Sequence, residues 1–306
     1  MNEFTPELSV IIASRNRRER LAVCLESLTK TTQATEYETI VVDDASTDGT
    51  PEMVAERFPA VQVLRQTTPA SWTVTNNLGV RASRGRFLLL LNDDTKLLPG
   101  TVDRIVAHLR EHPQAGVVTP VILNEDGTVQ PTLRRFPNLA QAAAQSLDLH
   151  RLRPGNRHTK HYYGLDVDYT QTQPAESVGT TCYLLRRAAY DQVGAFDEGF
   201  PPNFSDLEYN WRLKEAGWET WLLAEARVIH YGGGTMGLLN LRQLGQFHRG
   251  MLRMYRKHYA PRQSAALNAL VYAGIGARYA CKVGLRVTGL DRLIHKLPQP
   301  HRRLGS

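Results

Sequence analysis

The 306-residue sequence has only three cysteines, Cys24, Cys182 and Cys281. They are odd in number, far apart and never paired as Cys-x-x-Cys, so neither a disulfide framework nor a zinc cluster is expected. That usage fits a reducing cytosol. Long apolar runs are missing too. The longest weakly polar stretch, residues 265–277, interrupts itself with Asn268 and falls short of the roughly 20 residues a membrane span needs. The first residues lack the basic start and apolar core of a secretory leader, so none is expected. No internal repeat or low-complexity segment occurs. Acid is scarce at one end: after Leu241 the chain has 13 of its 37 Lys and Arg, but one acid, Asp291, of 30. The body is mildly acidic and the tail strongly basic, as for a tail that meets an anionic surface.

What is present alternates. Residues 8–13, 39–42, 61–65, 87–91 and 116–123 read as strands, several of them continuous apolar runs suited to a sheet covered on both faces. Between them, 18–28, 51–58, 76–82 and 99–112 read as helices. The rhythm predicts an α/β fold: a Rossmann-like, mostly parallel sheet sandwiched by helices. Residues 124–177 are irregular. Order returns with a strand at 178–186 and a helix at 205–216, started by a Ser205/Glu208 capping box and ended by Gly217. A long amphipathic helix follows at 238–259. The expected division is a catalytic domain over 1–237, with a donor half to about 123 and an acceptor half after it, and a helical basic extension over 238–306.

Open sheets of this kind bind ligands beyond the carboxyl ends of their strands. Two acidic loops lie there. Asn92-Asp93-Asp94 follows the most hydrophobic strand, where carboxylates are costly unless a cation bridges them to phosphate. Asp43-Asp44-Ala45-Ser46-Thr47-Asp48-Gly49 follows the second strand and could accept a nucleobase N–H. Each alone reads equally well as turn chemistry; two on one edge are harder to dismiss. Asp206, beside the cap at a helix start, should be held ionised by the helix dipole and could serve as a base, or merely as a stabilising acid. His230, after an apolar run and before Gly232-Gly233-Gly234, could ligate a metal and touch phosphate, although a lone histidine after a strand is more often a satisfied structural residue.

Together these segments resemble glycosyltransferase family 2, with its GT-A fold. The resemblance runs from Ser9-Val10-Ile11-Ile12 and Asn16-Arg17 through Val42-Asp43-Asp44, Asn77-Leu78-Gly79 and Asn92-Asp93-Asp94. It continues through Gly194-Ala195-Phe196-Asp197, Asp206 to Arg212 and Ala216-Gly217-Trp218, to His230. The bacterial rhamnosyltransferase-like branch is suggested. The resemblance implies that Ser14, Asn16, Asp44 and Asp93 line the donor site, that Asp94 and His230 bind Mn²⁺ or Mg²⁺, and that Asp206 is the base, with Glu208 in reserve. Arg15, Ala70-Ser71-Trp72, Ser205 and Glu208 depart from the family pattern. The Gln-x-x-Arg-Trp motif of processive synthases is absent, which favours single addition. The implied partners are a UDP- or dTDP-sugar and a saccharide or lipid-linked acceptor, handled in the cytoplasm or at the inner face of the plasma membrane.

Two other classes fit less well. A nucleotidyltransferase should have a glycine-rich phosphate loop after the first strand, where Ala13-Ser14-Arg15-Asn16-Arg17 stands. A nucleic-acid-binding protein should spread its charge over a face with interleaved aromatics, whereas here the charge is in the tail. No nucleic acid is expected. In the tail, Arg278, Lys282 and Arg286 form a helical stripe beside Leu267, Leu270, Val271, Ile275 and Val283. That pattern predicts a basic face toward an anionic membrane; the alternative is that Gly274, Gly276 and Gly284 break the helix and the tail packs on the body or assists self-association.

Overall fold

A computed structural model of the chain describes residues 6–136, 164–232 and 240–289. Its first half alternates β1 (Leu8–Ser14), α1 (Arg18–Thr31), β2 (Tyr37–Asp43), α2 (Thr50–Arg57), β3 (Gln62–Arg65), α3 (Trp72–Ala82), β4 (Phe87–Leu91), β5 (Thr95–Leu97), α4 (Thr101–Glu111) and β6 (Ala115–Leu123). Among the described residues, the second half adds β7 (Leu133–Arg134), β8 (Gln173–Ala175), β9 (Ser177–Val178), β10 (Cys182–Arg186), α5 (Arg187–Val193) and α6 (Pro202–Glu215). It ends with β11 (Glu219–His230), α7 (Leu241–Met254) and α8 (Ala265–Val287).

The main sheet runs β3-β2-β1-β4-β10-β6-β11-β5, with β8 also on β11. Its β3-β2-β1-β4 half is parallel, as expected. β10 enters antiparallel between β4 and β6, so the whole is a mixed sheet. Strand side chains alternate between two cores. Phe87, Leu89 and Leu91 join α1 and α4, through Leu25 and Ile105, on one face. Leu88 and Leu90 join α3 and α6, through Val80 and Tyr209, on the other. Burying each such side chain stabilises by about 1.5–3 kcal/mol. Gly79 lets α3 lie close on the sheet, since a Cβ there would fall 2.4 Å from Ile11 Cγ2.

The largest local corrections concern helix starts. α3 begins at Trp72, earlier than residue 76, because Ser71 Oγ accepts from Val74 N–H at 3.3 Å. α6 begins at Pro202, and Pro201 and Pro202 set its entry. Ser205 therefore lies inside the helix, its hydroxyl donating back to Pro202 O at 2.9 Å; no Ser205/Glu208 capping box forms. The exit is as expected. Gly217 has φ +87°, and Trp218 N–H reaches Leu213 O while Gly217 N–H reaches Lys214 O, a Schellman end. The strand expected over 178–186 divides into β9 and β10.

α7 starts with an Asn240/Gln243 capping box; residues 238 and 239 of the expected helix lie outside the described residues, as do 137–163 of the irregular region. α7 packs on α6 through Gly250, whose missing side chain makes room for Phe204. α8 runs unbroken for 23 residues through its three internal glycines. Its basic stripe does not point outward. Arg278 turns onto α7, with its guanidinium 5.6 Å from the Phe247 ring centroid and Nη1 3.0 Å from His248 Nε2, and Lys282 and Arg286 are half-buried. Among the described residues no helix is long and apolar enough to cross a membrane.

Candidate active site

The carboxyl ends of β1, β2 and β4 bring Ser14, Asp44 and Asp93-Asp94 to one edge. Ser14 Oγ donates to Asp93 Oδ2 at 2.7 Å, and Asp44 N–H donates to Ser14 O at 2.9 Å. Burial pushes the Asp93 carboxyl up to about 6, against the Ser14 hydrogen bond that favours its anion. Asp44 is buried. Its Oδ1 accepts from Ala70 N–H at 2.7 Å and Gln66 Nε2 at 3.3 Å. Its Oδ2 is 4.0 Å from Arg15 Nη1. Asn16, at φ +52°, uses its side-chain oxygen on Thr47 N–H at 2.8 Å and its own N–H on Ser46 Oγ at 2.9 Å. It stitches the loop after β1 to the loop after β2.

Asp94 and His230 meet because β5 pairs antiparallel with the end of β11, placing His230 opposite Thr95. Tyr231 N–H then donates to Asp94 O at 2.9 Å. His230 Nε2 lies 3.1 Å from Asp94 Oδ1, and Arg17 Nη1 is 3.1 Å from Asp94 Oδ2. Burial opposes ionisation of Asp94, yet the hydrogen bond and charge of His230, with Arg17, hold it below the ordinary carboxylate range.

Gln130 is the residue that sequence reasoning missed. Its Nε2 donates to Gly232 O at 3.2 Å and Asn124 Oδ1 at 3.3 Å, which turns its Oε1 toward His230 Nδ1, 2.7 Å away. Nδ1 thereby carries a proton. Nε2 faces the Asp94 carboxylate at 3.1 Å, and the position between them takes either a second proton, as in the charged pair that lowers the Asp94 pKa, or a cation. Gly232 closes on the same spot: a Cβ there would fall 2.8 Å from both Asp94 Oδ2 and His230 Nε2. One carboxylate and one imidazole suit Mn²⁺ or Mg²⁺ when phosphate supplies further oxygens. Among the described residues no group of three or more His, Cys, Asp or Glu converges, so phosphate or water would complete the shell.

Asp206 reaches this edge by a second route. Asn92 N–H donates to Thr181 O at 3.0 Å, which ties the Gly179–Thr181 link to the Asn92-Asp93-Asp94 loop. A Cβ on Gly179 would be 3.9 Å from Asp206 Oδ2. Asp206 lies in the second turn of α6, past the reach of the helix dipole, and protein crowds it although part of its side chain meets solvent. That desolvation raises its pKa, against the Leu207 N–H hydrogen bond and the Arg134 charge. The expected dipole-held, depressed carboxylate is therefore corrected. Glu208, the reserve candidate, is fully buried. It is paired with Lys257 at 2.8 Å, Arg212 at 3.0 Å and His258 at 3.3 Å, and ties α6 to the turn after α7.

Other motif residues build the scaffold. Asn77 is fully buried. Its Nδ2 donates to Phe196 O at 2.9 Å and its Oδ1 accepts from Phe196 N–H at 3.1 Å. Asp197 next to it pairs with Lys257 and Arg253.

Known proteins resemble this chain in sequence and in fold. The chain is 27% identical over 248 residues to an N-acetylglucosaminyl-diphospho-decaprenol L-rhamnosyltransferase of Mycobacterium tuberculosis, covering 78% of this chain and 79% of that one. It is also 27% identical over 231 residues to the O-antigen biosynthesis protein RfbC of Myxococcus xanthus, covering 74% of this chain and 17% of that much longer one. Among solved structures, GalNAc-T7 with UDP, GalNAc and Mn²⁺ superposes with a TM-score of 0.59 at 15% identity, over 83% of this chain and 48% of that one. Residues 1–349 of S. aureus TarS superpose with a TM-score of 0.53 at 17% identity, over 83% and 73%. Both support the GT-A fold. The model of the glycosyl transferase family 2 domain matches residues 9–194, more than half of the sequence, and the chain belongs to that family and is a glycosyltransferase.

Proposed function

We propose that the protein is an inverting, metal-dependent enzyme that moves one hexosyl or deoxyhexosyl group from a UDP- or dTDP-sugar to a saccharide hydroxyl. The similarity to a rhamnosyltransferase named for a diphospho-decaprenol substrate favours a lipid-linked acceptor in the assembly of a cell-envelope polysaccharide or glycolipid, at the cytoplasmic face of the membrane. Asp44 Oδ2 takes the nucleobase N–H, its partner Oδ1 being already occupied by Ala70 and Gln66. Ser14 and Asp93 floor the donor site, and Asn16 acts through the loop it holds.

The acceptor oxygen bonds to the anomeric carbon as the bond from that carbon to the diphosphate oxygen breaks. The hydroxyl proton goes to the Asp206 carboxylate, whose raised pKa makes it a stronger base than an exposed aspartate. The diphosphate leaves with the electron pair. Asp94 and His230 would hold a divalent cation, whose charge would stabilise this leaving group. The observation that carries the reading is the Asp94–His230 pair, 3.1 Å apart at the sheet edge.

The test is a panel of UDP- and dTDP-sugars with Mn²⁺ and a saccharide acceptor, read by proton NMR of the first product formed. The expected product has the anomeric configuration opposite to that of the donor. Retention of configuration would remove Asp206 as base and the single displacement with it.

A further inference from the structure

α8 exposes the wrong kind of residue for a water-facing helix. A surface helix normally turns charge outward and apolar residues inward. On α8 the order is reversed: Arg278, Lys282 and Arg286 are half-buried, while its exposed positions, from Ala265 to Val287, include no charged residue. Among the described residues, exposed large hydrophobics also gather here. Of seven, five are on these two helices: Leu241 at 47%, Leu252 at 39%, Leu270 at 69%, Tyr279 at 39% and Val287 at 72%. The uncharged strip is about 35 Å long at 1.5 Å per residue.

We infer that the exposed side of the α7–α8 pair docks in the interface of an anionic bilayer, lying along it without spanning. Charge complementarity selects this occupant over a second copy of the chain. Arg242, Arg249 and Arg256 recur every seventh residue on the α7 side, all exposed, and the chain beyond Leu241 has a single acid. Two copies meeting here would bring like charges together, whereas lipid phosphates would neutralise them. Leu270 and Val287 enter the headgroup–acyl boundary, and the arginines stay at phosphate level, each worth about 1 kcal/mol near such a surface. The sequence pattern put the basic stripe of α8 on the lipid; the structure assigns lipid contact to the opposite, neutral face and the outward charge to α7. Only the purpose, reaching a lipid-linked acceptor, rests on the proposed function.

Cys281 provides the probe. It is exposed on α8, whereas Cys24 and Cys182 are buried. The full chain, labelled at Cys281 with an environment-sensitive fluorophore, is mixed with phosphatidylcholine vesicles with and without phosphatidylglycerol, and co-sedimentation is measured in parallel. Blue-shifted emission and sedimentation are expected with phosphatidylglycerol alone, weakening with salt. Leu270→Glu with Val287→Glu, both at exposed positions, should lose about tenfold or more of the vesicle affinity without changing the melting temperature. No emission shift, an equal response to both vesicle types, or self-association without lipid seen by ultracentrifugation would each overturn the inference. Nucleotide binding by the parent and the double variant is measured alongside: a parent that binds nucleotide but no vesicles refutes the docking surface and leaves the catalytic reading untouched, and a double variant that keeps nucleotide binding while losing vesicles supports it.

Discussion

His230 Nε2 lies 3.1 Å from Asp94 Oδ1, although the two residues come from opposite halves of the chain. Antiparallel pairing of β5 with β11 sets the distance, and Gln130 sets the ring's tautomer. Residues that orient a metal-bound histidine typically change metal affinity by about 10–100-fold. Gln130→Leu is therefore expected to weaken Mn²⁺-dependent nucleotide binding by about that factor while metal-free binding stays constant. Equal loss with and without Mn²⁺ in calorimetric titrations would mean that Gln130 only supports the fold.

Asp206→Asn should lower turnover by about two to four orders of magnitude with donor affinity nearly unchanged. The parent's rate should fall as pH drops through a pKa above the ordinary 3.8. The stability effect has a definite sign. A folded-state pKa above the unfolded one favours the protonated form on folding, a contribution complete below the unfolded pKa and lost as pH rises through the folded one. Near neutral pH the ionised Asp206 is thus a liability, and the asparagine variant should melt no lower than the parent. A variant that keeps full turnover, or melts well below the parent, contradicts the assignment.

Glu208 has the opposite signature. Burial opposes its charge, but His258, Arg212 and Lys257 outweigh it and lower its pKa. Its stabilisation is present above the unfolded value of 4.5 and lost as pH falls through the folded pKa. Glu208→Gln leaves those cations without their buried partner and should cost about 3–5 kcal/mol at neutral pH. Denaturant unfolding checks this, and an unchanged midpoint would return Glu208 to candidacy as a base.

Legibility in the sequence followed the range of the physics. The β4 run into Asn92-Asp93-Asp94 was readable because alternating burial on both faces leaves an unbroken apolar string, and a carboxylate after it stands out. Asp44 and His230 were readable by the same placement at strand ends. Gln130 was not, since nothing local marks a glutamine whose partners arrive from Asn124 and from the end of β11. The start of α6 was misread because Ser205-x-x-Glu208 mimics a capping box, while Pro201-Pro202 had already begun the helix. The α8 stripe had the right period, but Phe247 and His248 on another helix decided which way it faced.

The most direct test of the central claim, a cation held between Asp94, His230 and the donor diphosphate, is calorimetric titration of UDP and dTDP with Mn²⁺ and with EDTA. The parent and Asp94→Ala would be compared. The parent should bind one of the two nucleotides about two orders of magnitude more tightly with Mn²⁺, equivalent to a few kcal/mol. Asp94→Ala, with its circular dichroism unchanged, should bind it equally weakly in both conditions. Affinity in the parent that ignores Mn²⁺, or Mn²⁺ dependence that survives Asp94→Ala, would contradict the account.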